Sequence, residues 1–185
     1  MRNNHGFTLI ELLVTISILI SLTAIAVPNF TDFIVKLRVD NEISTLYRLL
    51  LTARNSAINS GQDTTLCPLV DNTCVEDWSK ALYVFTDANN DKQLNNNDAI
   101  IAMKPAIEND DKLQYAKGRT GITYKASGHL SGWGQNGTFK YCPNNHANKA
   151  RGIIVAISGR LYQSFNKGNN KQDVNRSNTY ITCSS

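Results

Sequence analysis

The chain lacks the signatures of the common hydrolases. It holds no Gly-x-Ser-x-Gly elbow and no His-Glu-x-x-His pair, which excludes the nucleophile turn of α/β hydrolases and the zinc helix of most metalloproteases. Histidine is limited to His5, His129 and His146, and no Cys-x-x-Cys pair accompanies them, so zinc sites of the finger or ribbon kind have too few ligands. Proline occurs only four times in 185 residues, which argues against collagen-like and Pro-rich disordered chains. No internal repeat is found, which sets aside solenoids. Neither enzymatic activity nor a cofactor is expected. The most telling scarcity is local: between Phe7 and Phe30, Glu11 is the single ionisable side chain.

That stretch reads FTLIELLVTISILISLTAIAVPNF. At about 1.5 Å per residue, roughly 20 apolar residues cross a hydrocarbon core of about 30 Å, so a membrane helix is expected over 7–29. Thr8, Thr15, Ser17, Ser21 and Thr23 are compatible with it because their hydroxyls bond back to helix carbonyls. Glu11 is costly at a bilayer centre, about 2.5–3.5 kcal/mol on insertion scales. It lies one turn from the start, where a helix favours an anion. Two readings follow: an acid tolerated at the interface, or an acid that meets a cation. Cleavage between Gly6 and Phe7 would create such a cation, the α-amine of a neighbouring copy.

The leader Met1–Gly6 is short and carries Arg2, which favours the cytoplasmic side. An ordinary secretory signal is cut after its apolar region. Here the small residue, Gly6, precedes it, so a cut at Gly6 keeps the helix in the mature chain. Gly6, Phe7 and Glu11, with the apolar run behind them, resemble the class III signal of type IV pilins and pseudopilins. The resemblance implies a prepilin peptidase that cuts after Gly6 and methylates Phe7. It also implies insertion in the inner membrane with the head in the periplasm, then assembly with major and minor pilins into a pilus at the cell surface. Pro28 stands where pilins often carry a kinking proline. Glu11 and Pro28 are therefore the expected assembly residues.

Beyond the leader, charge is divided. From Phe7 to Asp111 fourteen acidic side chains face seven basic ones, about −7 formally. From Lys112 onward eleven basic side chains face Asp173 alone, about +10. Either the halves of a dipolar subunit pair with each other or with neighbours, or the basic half meets a polyanion such as DNA. Arg160, Lys167, Lys171 and Arg176 are the candidate DNA contacts. Cys67, Cys74, Cys142 and Cys183 allow three pairings. In an oxidising envelope compartment the favoured set is Cys67–Cys74, a short loop, and Cys142–Cys183, which ties the chain end to the body.

Apolar residues at Ile43, Leu46, Tyr47, Leu50, Ala53, Ala57 and Ile58 keep a helical period, and Gly61 supplies a C-cap. One helix is expected from about Thr8 to about Ser60. Strands are expected at 81–85, 99–103, 121–125, 137–141, 152–157, 161–162 and 179–182, joined by Gly- and Asn-bearing turns. The expected organisation is a leader at 1–6, a helix over 7–60 and a β-rich head over 61–185. The fold class is α+β, a pilin-like long helix packed on an antiparallel sheet head.

Cys67-Pro68, Cys74, Trp78, Val84–Asp87 and Ile157–Arg160 are similar to the GspH/FimT group of minor pilins and pseudopilins. That resemblance implies a minor pilin in pilus assembly, with a DNA-binding pilin for transformation and a type II secretion pseudopilin as alternatives. In the DNA-linked branch a Gly-Arg-x-Arg stretch touches DNA; here it is Gly159-Arg160-Leu161-Tyr162, without the second arginine. Two further strings read as turns. Asp87–Asp98 has oxygen ligands at calcium-loop spacing but Lys92 where glycine is needed. Gly132–Gly137 fits G-x-G-x-x-G but precedes a strand rather than a helix.

Overall fold

The computed structural model describes residues 7–108, 110–132, 134–168 and 172–183, and leaves the side chains of 25–29 undescribed. Helix α1 spans Leu9–Ser60 and ends at Gly61, whose N–H reaches Ala57 O at 3.0 Å with φ +69°, the left-handed stop that glycine takes without strain. The chain divides into two compact units, Met1–Leu37 and Arg38–Ser185, and the division falls inside the helix.

In the first unit the helix is apolar on every side and exposed from Leu9 to Leu22. Its hydroxyls bond backward as expected: Thr15 to Leu12 O, Ser17 to Leu13 O, Ser21 to Ser17 O and Thr23 to Leu19 O, all at 2.8–2.9 Å. Among the described residues no helix is long and apolar enough to cross a membrane.

In the second unit Val39, Ile43, Leu46, Leu50, Ala53 and Ala57 alternate by four and three residues, each at most 1 % exposed. That is one face of a helix pressed into a core. Ile58, placed on this face by the sequence pattern, is exposed instead.

Two antiparallel sheets follow. The first has β1 (Thr64–Val70) at its centre, with β3 (Leu82–Thr86) and then β4 (Ile100–Lys104) on one side. On the other side β6 (Ile122–Tyr124) pairs with Thr64–Leu66, and β2 (Thr73–Cys74) with Leu69–Val70. Pro68 falls in the gap between them, where its carbonyl accepts Val75 N at 3.0 Å and its missing N–H deprives no ladder of a bond. The register puts Leu66, Val84 and Ile122 on one face, and Lys104, opposite Leu82 on that face, reaches helix residue Glu42 at 2.6 Å. The opposite face carries the Cys67–Cys74 disulfide, packed with Phe85, Leu69, Tyr83 and Leu94.

The second sheet runs β5 (Lys112–Gln114), β7 (Gly137–Cys142), β8 (Arg151–Val155), β9 (Leu161–Gln163). Phe139 stacks on Tyr115 with ring centroids 4.1 Å apart, and Trp78 meets both edge-on, a geometry favoured by ring quadrupoles. The far face of Gly152 is closed by the chain end: a Cβ there would lie 2.8 Å from Phe139 O and 3.2 Å from Ile181. Two short strands, β10 (Phe165–Asn166) and β11 (Asp173–Val174), form a separate pair. Residues 179–182, expected as a strand, make a single bridge among the described residues, from Tyr180 to Val174. Ile181 is held instead by its own N–H to Asp173 O, and its carbonyl by Gln172.

Among the described residues, three ion pairs bind the helix to the head. Arg38 meets Asp111 at 3.0 Å, Glu42 meets Lys104, and Asp40 meets Arg151, which also holds Asp173 at 3.1 Å. Asp111 has no side-chain exposure and accepts Tyr141 Oη at 2.5 Å and Asn144 N at 2.7 Å. Removing it strands a guanidinium and a buried hydroxyl, so Asp111→Ala is expected to cost about 3 kcal/mol in urea unfolding. Lys80→Ala, which breaks an exposed pair, should stay within about 0.5 kcal/mol of the parent.

Burial pushes the phenols of Tyr115 and Tyr124 upward; for Tyr141 burial acts first and the bond to Asp111 second. A raised folded value gives stability that is whole below the unfolded tyrosine value of about 10 and is lost as pH rises beyond it. Phenolate absorbance should therefore show these three ionising only as the circular-dichroism signal collapses. One reversible step near pH 10 for all seven tyrosines would contradict the packing described.

Candidate functional site

Glu11 is fixed by the chain's own first turn. Thr8 N and Thr8 Oγ1 both donate to Glu11 Oε2 at 2.9 Å, and Thr8 Oγ1 accepts Glu11 N at 3.3 Å. This is a capping box: Thr8 precedes the first helical residue, and the acid three positions on closes the ring. The Thr-x-x-Glu spacing was visible in the sequence, but neither interfacial tolerance nor an intermolecular amine takes account of it. Both Thr8 bonds fall on Oε2, which leaves Oε1 able to accept from another donor. Phe7, one residue before the cap, is exposed. Gly6 lies outside the described residues, and Pro28 lies within α1 with its side chain undescribed.

The cysteines pair as Cys67–Cys74 and Cys142–Cys183, with Cα separations of 5.6 and 5.9 Å. The second joins β7 to the chain end, where Lys140 Nζ also donates to Thr182 O at 3.0 Å.

The basic candidates separate into two places. Arg160 is exposed at the β8–β9 turn, beside Gly159, which takes φ +74° against the Gly128 carbonyl. The turn that follows β11 involves Lys167 and Arg176 separately: Lys167 Nζ donates to Asn178 Oδ1 at 3.1 Å, and the Arg176 guanidinium lies 4.3 Å above the Tyr162 ring, a cation–π contact. Tyr162 stands at the fourth place of the Gly159-Arg160-Leu161-Tyr162 stretch, and Arg176 covers its ring. Lys171 lies outside the described residues.

The Asp87–Asp98 loop spends its carboxylates internally. Asp87 is buried and accepts Thr65 Oγ1 at 2.6 Å and the N–H groups of Asp91 and Lys92. Asp91 takes Asn89, Gln93 and Asn95, which hold its carboxyl below the ordinary value, the Asn95 bond first. Asp98 caps Asn95 N. Among the described residues no three His, Cys, Asp or Glu side chains stand together as a metal set. Within Gly132–Gly137, Gln135 is buried and bonds Thr123 N, Ser131 and Tyr115, and β7 follows, so the segment closes a strand entry.

Sequence reading missed the helix brackets Arg38, Asp40 and Glu42. Their partners lie 73, 111 and 62 positions away for the pairs to Asp111, Arg151 and Lys104, and only a charge cluster on the solvent-facing flank of the apolar stripe hinted at them.

Comparison with known proteins adds identity to this geometry. The prokaryotic N-terminal methylation motif matches residues 1–27, and the type II transport protein GspH family matches residues 42–159. A fimbrial protein of Pseudomonas aeruginosa is 38% identical over 63 residues, 34% of this chain and 40% of that protein, so the chain spans less than half the length of this curated relative. The crystal structure of the P. aeruginosa type IV minor pilin FimU superposes with a TM-score of 0.57 at 18% identity, covering 68% of this chain and 87% of that one. The Vibrio cholerae type II secretion minor pseudopilin EpsH gives 0.49 at 18%, over 71% and 98%. The FimU likeness shows a shared pilin fold, and with the family match over more than half of its length the chain belongs to the GspH family of minor pilins and pseudopilins.

Proposed function

We propose that this chain is a minor pilin of a type IV pilus, acting in pilus assembly. The carrying observation is Gly6-Phe7 followed by a helix whose first turn is capped by Thr8 and Glu11, inside the matched methylation motif. A prepilin peptidase cuts after Gly6 and methylates Phe7. The apolar helix over 7–29 then holds the protein in the inner membrane with its head in the periplasm, until the helix packs among those of other pilins. The cap keeps Glu11 ordered at the helix start, and its second oxygen receives the α-amine of a neighbouring Phe7. The pair forms in a low-dielectric bundle, where a charge without a partner is expensive.

One specific observation favours a second reading, a DNA-contacting pilin: the Arg176 guanidinium lies over the ring of Tyr162, within the Gly159–Tyr162 stretch. A type II secretion pseudopilin is the third. Deletion separates them. Loss of piliation and twitching supports the first, loss of DNA uptake with intact pili the second, and loss of secreted enzymes the third.

Glu11→Gln discriminates charge from cap, because glutamine also closes a capping box. The variant is expected to be processed normally while recovered filaments fall at least tenfold. Normal filaments from Glu11→Gln, with loss only in Thr8→Val, would reduce Glu11 to a capping residue. For the DNA reading, full chain in detergent should bind short duplex with an affinity that falls with salt, and Lys167→Glu with Arg176→Glu should lower the salt slope by about 2. An unchanged slope would remove these residues from any DNA contact.

A further inference from the structure

Among the many asparagines, three stand in the string Asn-x-Ser or Asn-x-Thr with x other than proline: Asn29-Phe30-Thr31, Asn136-Gly137-Thr138 and Asn175-Arg176-Ser177. In an exported chain that string marks an asparagine whose side-chain nitrogen accepts a glycan. A chain this rich in asparagine produces the string by chance, so the fold has to choose among the three.

The chemistry favours a turn in which the asparagine carbonyl accepts the N–H of the residue two places on. The accepted bond polarises the amide and leaves its nitrogen facing outward. Asn29 and Thr31 lie inside α1, where backbone N–H groups are committed to carbonyls four residues back. Thr138 lies in β7 opposite Ile154, so that string runs extended into a sheet. Asn175 directly follows β11 and makes the turn. Ser177 N and Thr179 N both donate to Asn175 Oδ1 at 2.9 Å. The main chain closes the loop, with Asn175 N on Thr179 O at 2.9 Å and Asn178 N on Asn175 O at 3.0 Å. Both side-chain bonds fall on Oδ1, so Nδ2 is the end of the amide left for chemistry. Residues 176–179 are exposed.

Charge separates the three strings as well. Two places before the asparagines stand Val27, Gly134 and Asp173, so only Asn175 carries an anionic handle for a cationic acceptor groove. In the folded head that handle is hidden. Asp173 is buried, with Ser164 Oγ at 2.7 Å and Arg151 Nε at 3.1 Å, a guanidinium it shares with Asp40. The 175–179 turn is closed by its own bonds, whereas Asp173 is available only while the chain end is undocked.

We propose that Asn175 is an N-glycosylation site, modified in the envelope before Cys142–Cys183 closes. The donor, by class, is a polyprenyl-pyrophosphate-linked oligosaccharide. The Asn175 Nδ2–C1 bond forms as the C1–O bond to pyrophosphate breaks. The polyprenyl pyrophosphate leaves with the electron pair, and one Nδ2 proton passes to a base of the transferase; nothing is oxidised or reduced. The product is still an amide, so Oδ1 keeps its two turn bonds and the folded turn accommodates the sugar. A bulky hydrophilic group there shields an exposed turn near the chain end from proteolysis. Modification goes beyond pilus assembly and needs from that reading only the export of the head.

The test is glycopeptide mass spectrometry on the full chain recovered from its own envelope, with fragmentation that sites the sugar. A glycan mass is expected on Asn175. It should fall at least tenfold in Ser177→Ala, which keeps the Ser177 N–H and the turn, and persist in Ser177→Thr. In pulse-labelled cells trapped with iodoacetamide, the glycan should already be present on chains whose Cys142 and Cys183 are alkylated. Unmodified Asn175, a glycan kept in Ser177→Ala, sugar on Asn29, Asn136 or a hydroxyl instead, or glycan confined to disulfide-closed chains would each overturn the proposal. Unmodified Asn175 in chains that begin at Phe7 and enter filaments defeats glycosylation and leaves the assembly reading standing.

Discussion

The second compact unit depends on how helix residues 38–57 are held against two separate sheets. An apolar stripe with small residues at Ala53 and Ala57 lets the helix sit close, and three ion pairs at its beginning fix its rotation. Hydrophobic burial is non-directional; it drives the helix onto the head but does not choose a register. Arg38, Asp40 and Glu42 make that choice, because each reaches a different place: the segment before β5, the second sheet and the edge of the first. Asp111 and Arg151 each serve more than the helix. Asp111 also gathers Tyr141 and Asn144, and Arg151 gathers Asp173, so the helix dock and the chain end share polar anchors.

This arrangement explains the division of labour between the sheets. The first is centred on β1, where a proline is tolerated because two short strands share one side of it without covering position 68. The second is sealed on its outer face by the last residues, held through Cys183, Ile181 and Lys140. The disulfides therefore act at different levels. Cys67–Cys74 is part of a small apolar cluster beneath the asparagine-rich loop, while Cys142–Cys183 keeps a chain end with little regular structure on the sheet it covers. The loop is in turn organised by Asp87, a buried carboxylate whose donors are local N–H groups and Thr65, which accounts for a calcium-like spacing that serves a turn.

At the other end of the chain the same economy of polar groups applies. A single acid in an apolar helix has its first partner one turn away, in Thr8. Under the proposed assembly, ordering the carboxylate in the free chain lowers the entropy lost when a neighbour's amine binds it. On the basic side, Arg176 reaches Tyr162 from fourteen residues downstream, a contact that no local pattern announces.

The sequence alone determined what is periodic or local. The helix from about Thr8 to Ser60, its glycine stop, most strands and the methylation motif are all written in residues within a few positions of one another. The capping box of Thr8 and Glu11 is equally local. Tertiary structure decided the rest. Strand β1 was hidden by Pro68 because tolerance there depends on which neighbours pair beside it. The segment 179–182 looked like a strand but is held by side chains and a disulfide. The brackets at Arg38, Asp40 and Glu42 join residues far apart along the chain. Short-range hydrogen bonding and burial period leave a pattern in consecutive residues, whereas the partner of a charge or an edge is fixed only once the chain has closed upon itself.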